Sequence, residues 1–252
     1  MESLFKLSKH FWVAVGDVGF ARRMKLSAIV NYFIGMSGRH THDRGIGIQA
    51  IDQQHGVFWA ITRMRVDVAR YPLLDEEITI ETWPQKPRKY EFDRDYLMRD
   101  AQGNIIARAA SIWVILDIGT RRLKPTILLD TDYQETDSER ALDCTLSKIR
   151  LPADLELACR REIGCSDIDM HEHLNSARYI SLITDCFSIG QHRRYQVTSL
   201  QINFLGEVFP GDTVALYKLD NVDQSGKAFV RGVNEKDGST VFTAELDISS
   251  QN

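Results

Sequence analysis

The sequence predicts an α+β fold of two tandem domains, each a curved antiparallel sheet wrapped round a long central helix. Three observations predict it. A pattern repeats at a constant spacing of 150 residues, from Asp17-Val18 to Asp167-Ile168 and from Met24 to Leu174. Each repeat holds one helix-like segment followed by a run of β-prone stretches. The strand-like stretches follow one another directly, whereas a doubly wound parallel sheet alternates strand and helix.

The first helix-like segment runs from Met24 to Phe33 and the second from Leu174 to Leu182. Both are apolar on most sides, as burial under a sheet demands. After the first comes Val57 to Val68, apolar and β-prone, then Glu77 to Trp83, which alternates polar and apolar as a half-buried strand does. A hairpin over Tyr96 to Ala107, with Gly103 at its turn, returns through Ser111 to Leu116. The second half repeats the series. Val197 to Phe204 leads to Asp212 to Tyr217, and Phe229 to Val233 turns through Glu235 to Ser239 into Val241 to Leu246. One helix per long antiparallel meander means that the sheet covers the helix, or both lose their buried face. That arrangement is a hot-dog fold, and the whole chain a double hot-dog. The domains are drawn at 1–145 and 146–252. The linker between them falls within 120–152 and includes the charged stretches Asp130-Thr131-Asp132 and Thr136-Asp137-Ser138-Glu139-Arg140.

Composition narrows the function. With 252 residues, 43% hydrophobic and 26% charged, the chain is long enough to bury two cores. A net charge of −4 argues against a dominant nucleic-acid role. No run of roughly 18 apolar residues is present, so membrane insertion is not expected. The start of the chain does not read as a signal peptide. Cys144, Cys159, Cys165 and Cys186 form no CxxC pair and read as reduced thiols in the cytoplasm.

The halves differ sharply just before each helix. The second carries Asp167-Ile168-Asp169-Met170-His171-Glu172-His173, where the first has Asp17-Val18-Gly19-Phe20-Ala21-Arg22-Arg23. Asp169, His171 and His173 thus face Gly19, Ala21 and Arg23. The scaffold alone does not require the acid and the imidazoles, since the sister copy lacks them, and this assigns the active site to the second half. Such a cluster suits hydrolysis of a thioester. A carboxylate or histidine orients or deprotonates water. The helix N-terminus, with its free N–H groups and positive dipole end, stabilises the oxyanion. Two other uses stand beside this one: capping by Asp167 or Asp169, and a divalent metal, although the spacing matches no established zinc signature. Gly45-Ile46-Gly47 reads as an ordinary loop, and no cofactor is expected.

Several stretches carry a resemblance to the plant and bacterial acyl-acyl carrier protein (acyl-ACP) thioesterases, over roughly residues 5–248. They are Trp59 to Val66, Asp67 to Pro72, Glu81-Thr82-Trp83, Tyr96 to Asp100, Ala109 to Val114 and Thr120 to Leu123. In the second half, Ser166 to Ser176 resembles the family's Asp-Leu-Asp-x-Asn-x-His-x-Asn-Asn segment. The resemblance implies a site of Asp, Asn, His and a Glu on a following strand. Asp169 falls on the aspartate, His173 on the histidine, and Glu207 matches the glutamate. His171 stands in place of the asparagine. Val208 stands where plant members have a cysteine, so a papain-like mechanism has no nucleophile at that position, and Cys186 reads as core. The mechanism thus favoured is general-base hydrolysis without a covalent intermediate. In it Glu207 activates water, His173 assists or binds the carbonyl region, Asp169 orients them, and His171 replaces the asparagine as donor.

The resemblance also implies that the first domain binds the acyl chain, with Met24, Ile29, Phe33, Phe58 and Trp59 as candidate linings. The partner it implies is an acyl carrier protein bearing a fatty acyl chain. That protein is acidic, so a basic docking surface is expected at Arg22-Arg23 or His192-Arg193-Arg194. A homodimer is admitted. An acyl-coenzyme A thioesterase and a non-catalytic acyl-binding hot-dog protein are the competing readings, since the fold hosts several functions.

Overall fold

The computed structural model describes residues 5–129, 139–221 and 225–251. Of the expected linker, Asp130-Thr131-Asp132 and Thr136-Asp137-Ser138 lie outside the described residues. The chain divides into two compact units: residues up to Lys25 together with Asn31–Leu146, and Ser147 onward together with Leu26–Val30.

The first half runs β1 (Leu7–Trp12), a 3-10 turn (Val15–Asp17), α1 (Leu26–Asp43), α2 (Ile48–His55), β2 (Val57–Val68), β3 (Glu77–Pro84), β4 (Phe92–Asp100), β5 (Ile105–Asp117) and the short β6 (Leu123–Lys124). Its strands pair antiparallel in the order β1-β3-β4-β5-β2, with β6 also on β5. The second half runs β7 (Glu156–Glu162), a 3-10 turn (Cys165–Asp167), α3 (Ser176–Asp185), α4 (Ile189–Arg194), β8 (Tyr195–Phe204), β9 (Thr213–Asn221), β10 (Lys227–Asn234) and β11 (Thr240–Ser250). Its order is β7-β9-β10-β11-β8. Position for position the two orders are the same, so the sequence repeat is a repeat of topology. The spacing of 150 holds through the 3-10 turns and the helix starts, Leu26 and Ser176.

Three details differ from expectation. Both helices begin two residues later than predicted, because Met24 and Leu174 are held extended in bridges to Val18 and Ile168. Asn175 then caps α3, its side chain accepting from the Ala177 N–H at 2.9 Å. Next, α1 is not apolar on most sides. Asn31, Gly35, Arg39 and His42 lie exposed along one face, so the helix is amphipathic and a stripe of it meets solvent. Finally, α2 and α4 were not anticipated. A capping box between Ser188 and Gln191 starts α4, and Gly56, with φ of 61°, ends α2 in a left-handed cap.

Packing in the first half sets α1 against β4. Phe33 lies 5.1 Å from Tyr96, ring to ring. The Tyr96 hydroxyl satisfies itself within the core, 2.6 Å from Ser37 Oγ and 2.9 Å from Ser111 Oγ. In the second half Tyr179 of α3 stands edge-on to Phe204 and Phe242, at 5.4 and 5.7 Å. Gly232 makes room for that cluster: a Cβ there would sit 2.1 Å from Phe242 Cε1. Among the described residues no helix is long and apolar enough to cross a membrane.

Candidate active site

The acidic-imidazole stretch folds into a closed turn between β7 and α3. The Asp167 carboxylate accepts the Gly164 N–H at 3.2 Å, closing the 3-10 turn. The Asp169 N–H donates to the His173 carbonyl at 2.9 Å, and the Glu172 N–H donates to the Asp169 carbonyl at 3.1 Å. Glu172 takes the left-handed conformation, with φ of 63°, to complete the reversal. The Asp169 carboxylate accepts the His171 N–H at 2.8 Å, a local Asx turn.

One backbone bond joins this turn to the loop after β8. The Leu174 N–H donates to the Val208 carbonyl at 2.8 Å. The loop is pinned on both sides. The Leu205 and Gly206 N–H groups donate to the Val241 carbonyl at 2.9 and 3.1 Å, and Asp212 accepts from the Phe209 N–H and from Asn234 Nδ2, both at 3.0 Å. Glu207 projects from this loop. It does not lie on a strand, as the resemblance implied, because β8 pairing with β11 ends at Phe204.

The result is a close pair. His173 Nδ1 stands 3.7 Å from Glu207 Oε1, with the His173 side chain 15% exposed and Glu207 38% exposed. Phe209 meets the His173 ring edge-on at 5.0 Å and fixes its plane. Beneath the pair lies Tyr179, whose hydroxyl donates to the Gly206 carbonyl at 3.1 Å. Burial pushes the Tyr179 phenol well above its ordinary pKa, and the negative charges of Glu207 and Asp169 push it further. His173 thus meets Glu207, and Tyr179 feels the negative charges of Glu207 and Asp169. His171 joins them through its backbone N–H to Asp169. Tyr179 was not foreseen. Its signal was present, since the first copy has Ile29 at that position and a hydroxyl on a buried apolar face asks for a partner.

Other expectations change at the helix end. Asn175 occupies the Ala177 N–H, and the Arg178 N–H donates to the Asn175 carbonyl at 2.8 Å. Those two donors of the α3 N-terminus are already engaged, so they do not serve a developing oxyanion as the sequence predicted. Asp167 and Asp169 cap neither end of α3; each accepts a backbone N–H within its own turn. Val208 is fully buried and Cys186 is buried at the opposite end of α3. Among the described residues no three His, Cys, Asp or Glu side chains gather as a metal site. Arg193 and Arg194 lie exposed in the last turn of α4. His192 there contacts the Thr184 carbonyl at 2.9 Å, which puts it beside the far end of α3 from Asn175.

The first half reproduces the backbone of this site without its chemistry. The Gly19 N–H donates to the Arg23 carbonyl, the Arg22 N–H to the Gly19 carbonyl, and the Met24 N–H to the Pro72 carbonyl, at 3.0, 3.0 and 2.8 Å. Arg22 has φ of 56°, as Glu172 has 63°. Pro72 thus answers to Val208, and Tyr71 to Glu207. Asp169, His173 and Glu207 are replaced by Gly19, Arg23 and Tyr71 on a matching frame.

Comparison with known proteins bears on the fold and the family. A palmitoyl-acyl carrier protein thioesterase of Arabidopsis thaliana is 25% identical over 79% of this chain and 51% of its own length. The chain spans about half the length of the curated relatives it matches. An acyl-ACP thioesterase structure from Bacteroides thetaiotaomicron superposes with a TM-score of 0.85 at 22% identity, over 97% of this chain and 98% of that one. The 12:0-ACP thioesterase of Umbellularia californica gives 0.86 at 18% identity, over 100% and 99%. At such identities the likeness establishes the fold, a double hot-dog. Residues 5–128 match the profile of the acyl-ACP thioesterase N-terminal domain and residues 153–248 that of its C-terminal domain. With both profiles met in order over most of its length, the chain belongs to the acyl-ACP thioesterase family.

Proposed function

We propose that this chain hydrolyses fatty acyl-ACP thioesters to free fatty acid and holo-ACP, by general-base activation of water in its second domain. The observation that carries the proposal is the His173–Glu207 pair at 3.7 Å, on a turn whose sister copy has neither group. Glu207 is exposed enough for water to reach it. It takes a proton from that water as the oxygen attacks the thioester carbonyl. The tetrahedral intermediate collapses with release of the thiolate, and the proton taken by Glu207 passes through His173 to the sulfur, which leaves both residues as they began. Asp169 holds the turn through the His171 N–H, and the His171 imidazole is given the donor role of the family's asparagine. Met170, Leu205 and Phe209, all exposed, form an apolar rim that suits the thioester end of a carrier arm.

In this reading residues 1–145 bind the acyl chain and 146–252 carry the chemistry. Fatty acid biosynthesis is the setting, with the cytoplasm its place on the reading of the four thiols. The partner is the acidic carrier protein. The experiment is turnover of one acyl group on ACP and on coenzyme A. Faster release from ACP supports the proposal. Preference for the coenzyme A ester would make this an acyl-CoA thioesterase, and binding without turnover would make it an acyl-binding protein.

A further inference from the structure

Two of the four cysteines meet, and nothing in the hydrolytic reading uses them. Among the described residues strand β7 is the edge of the second half's sheet and pairs only with β9. It is exposed at every position but one, and that position is Cys159. Side chains two apart on a strand share a face, so Cys159 and Arg161 point the same way. The Arg161 guanidinium donates to the Asp185 carboxylate at the last residue of α3. The next residue is Cys186, which caps the helix and is buried. The ion pair therefore sets this face of β7 against the end of α3. There Cys159 is a side-chain neighbour of Cys186 and adds to the upward shift of its thiol. Cys186 Sγ also lies 3.4 Å from the Leu182 carbonyl.

We propose that Cys159 and Cys186 are a redox-sensitive pair that closes to a disulfide when the folded chain meets a small-molecule disulfide oxidant. The partly exposed Cys159 is the entry point. Its thiolate attacks one sulfur of the oxidant RSSR, forming Cys159–S–SR and releasing RS−, which takes up the proton that Cys159 lost. Cys186 then attacks the Cys159 sulfur. The Cys159–Cys186 bond forms, the second RS− leaves, and the Cys186 proton goes to it. The sum is two protein thiols and RSSR giving one protein disulfide and two RSH. Burial pushes the Cys186 thiol up to about 12, so Cys186 is not the thiol that attacks the oxidant first. The loop so closed, residues 159–186, contains Asp169, His171, His173 and all of α3. Oxidation would tie a bare edge strand to the far end of the helix behind the candidate site.

The test needs no substrate. The full chain is incubated with oxidised glutathione and then analysed by intact mass, peptide mapping and thermal unfolding. The expected result is loss of the mass of two hydrogen atoms and one cross-linked peptide joining Cys159 to Cys186. Tm should rise by about 5–10 °C and fall back under dithiothreitol. Cys159→Ser lies on an exposed strand and should fold, yet lose the rise. Cys186→Ala should lose it too, while the double variant Cys144→Ser, Cys165→Ser keeps it. A bond between any other pair, a glutathione adduct that stays on Cys159, or a rise that survives in Cys159→Ser would overturn the proposal.

Discussion

Glu207→Gln separates chemistry from architecture at the candidate site. The substitution keeps the size of the side chain and removes the ability to accept a proton. If Glu207 is the general base, its loss should cost about 10²- to 10⁴-fold in kcat. At 1.36 kcal/mol per tenfold, that is a rise of about 3–5 kcal/mol in the barrier. The structural cost is much smaller. Glu207 meets His173 at 3.7 Å with its own side chain 38% exposed, so water already screens the pair. The pair should be worth under about 1 kcal/mol of stability, a Tm change of no more than about 3 °C. The loop keeps its backbone anchors to Val241 and Leu174, which do not involve the side chain. The assay is thiol release from acyl-ACP across pH, with unfolding followed in parallel. The acid limb of kcat/KM should flatten with the base gone. A variant with unchanged Tm and kcat within tenfold of the parent would refute the assignment of Glu207.

The geometry predicts four further outcomes. Tyr179→Phe removes the hydrogen bond to the Gly206 carbonyl and should lower Tm by about 2–4 °C, with kcat falling more than KM moves, in the same unfolding and release assays. Gly232→Ala forces a methyl group to within 2.1 Å of Phe242 Cε1 and should destabilise by about 1–3 kcal/mol in denaturant titration. The His171→Asn pH–rate profile should lose any limb that the imidazole contributes; an unchanged acid limb would remove His171 from the mechanism. Asp117 is held at about 2, below its ordinary 3.8, by the Thr120 N–H first and then by Lys124 and the Thr120 hydroxyl. Its contribution to stability is therefore present above about pH 4 and is lost as pH falls towards 2. Asp117→Asn should be less stable at neutral pH and lose less stability across that acid window, by unfolding at stepped pH.

The strands were legible because each is an alternating or apolar run closed by a turn residue. β2 occupies the stretch read as Val57 to Val68, and Gly103 and Gly238 take positive φ at the hairpin turns. The duplication was legible for a related reason: the 3-10 turn, the bridge and the helix start recur at one spacing. What escaped was set by contacts distant in sequence. Met24 looks helical by itself but is held extended by Val18 and by the Pro72 carbonyl. Glu207 leaves the strand because two consecutive N–H groups, those of Leu205 and Gly206, share the single carbonyl of Val241. Asp169, His171 and His173 could be found by comparing the two halves. Tyr179 could have been found in the same way, against Ile29, but apolar periodicity hides one hydroxyl among buried neighbours. The meeting of Cys159 and Cys186 leaves no trace in spacing, since a strand and a helix end bring them together.

Tyr71, opposite number to Glu207, bears on whether the first copy could carry the proposed chemistry. The residue is half-buried, and burial pushes its phenol well above its ordinary pKa. A carboxylate grafted there would be stripped of hydration and driven towards its neutral form, whereas Glu207 stays wet. Rewriting Gly19, Arg23 and Tyr71 as their counterparts would thus place the same side chains where the carboxylate is less hydrated than Glu207.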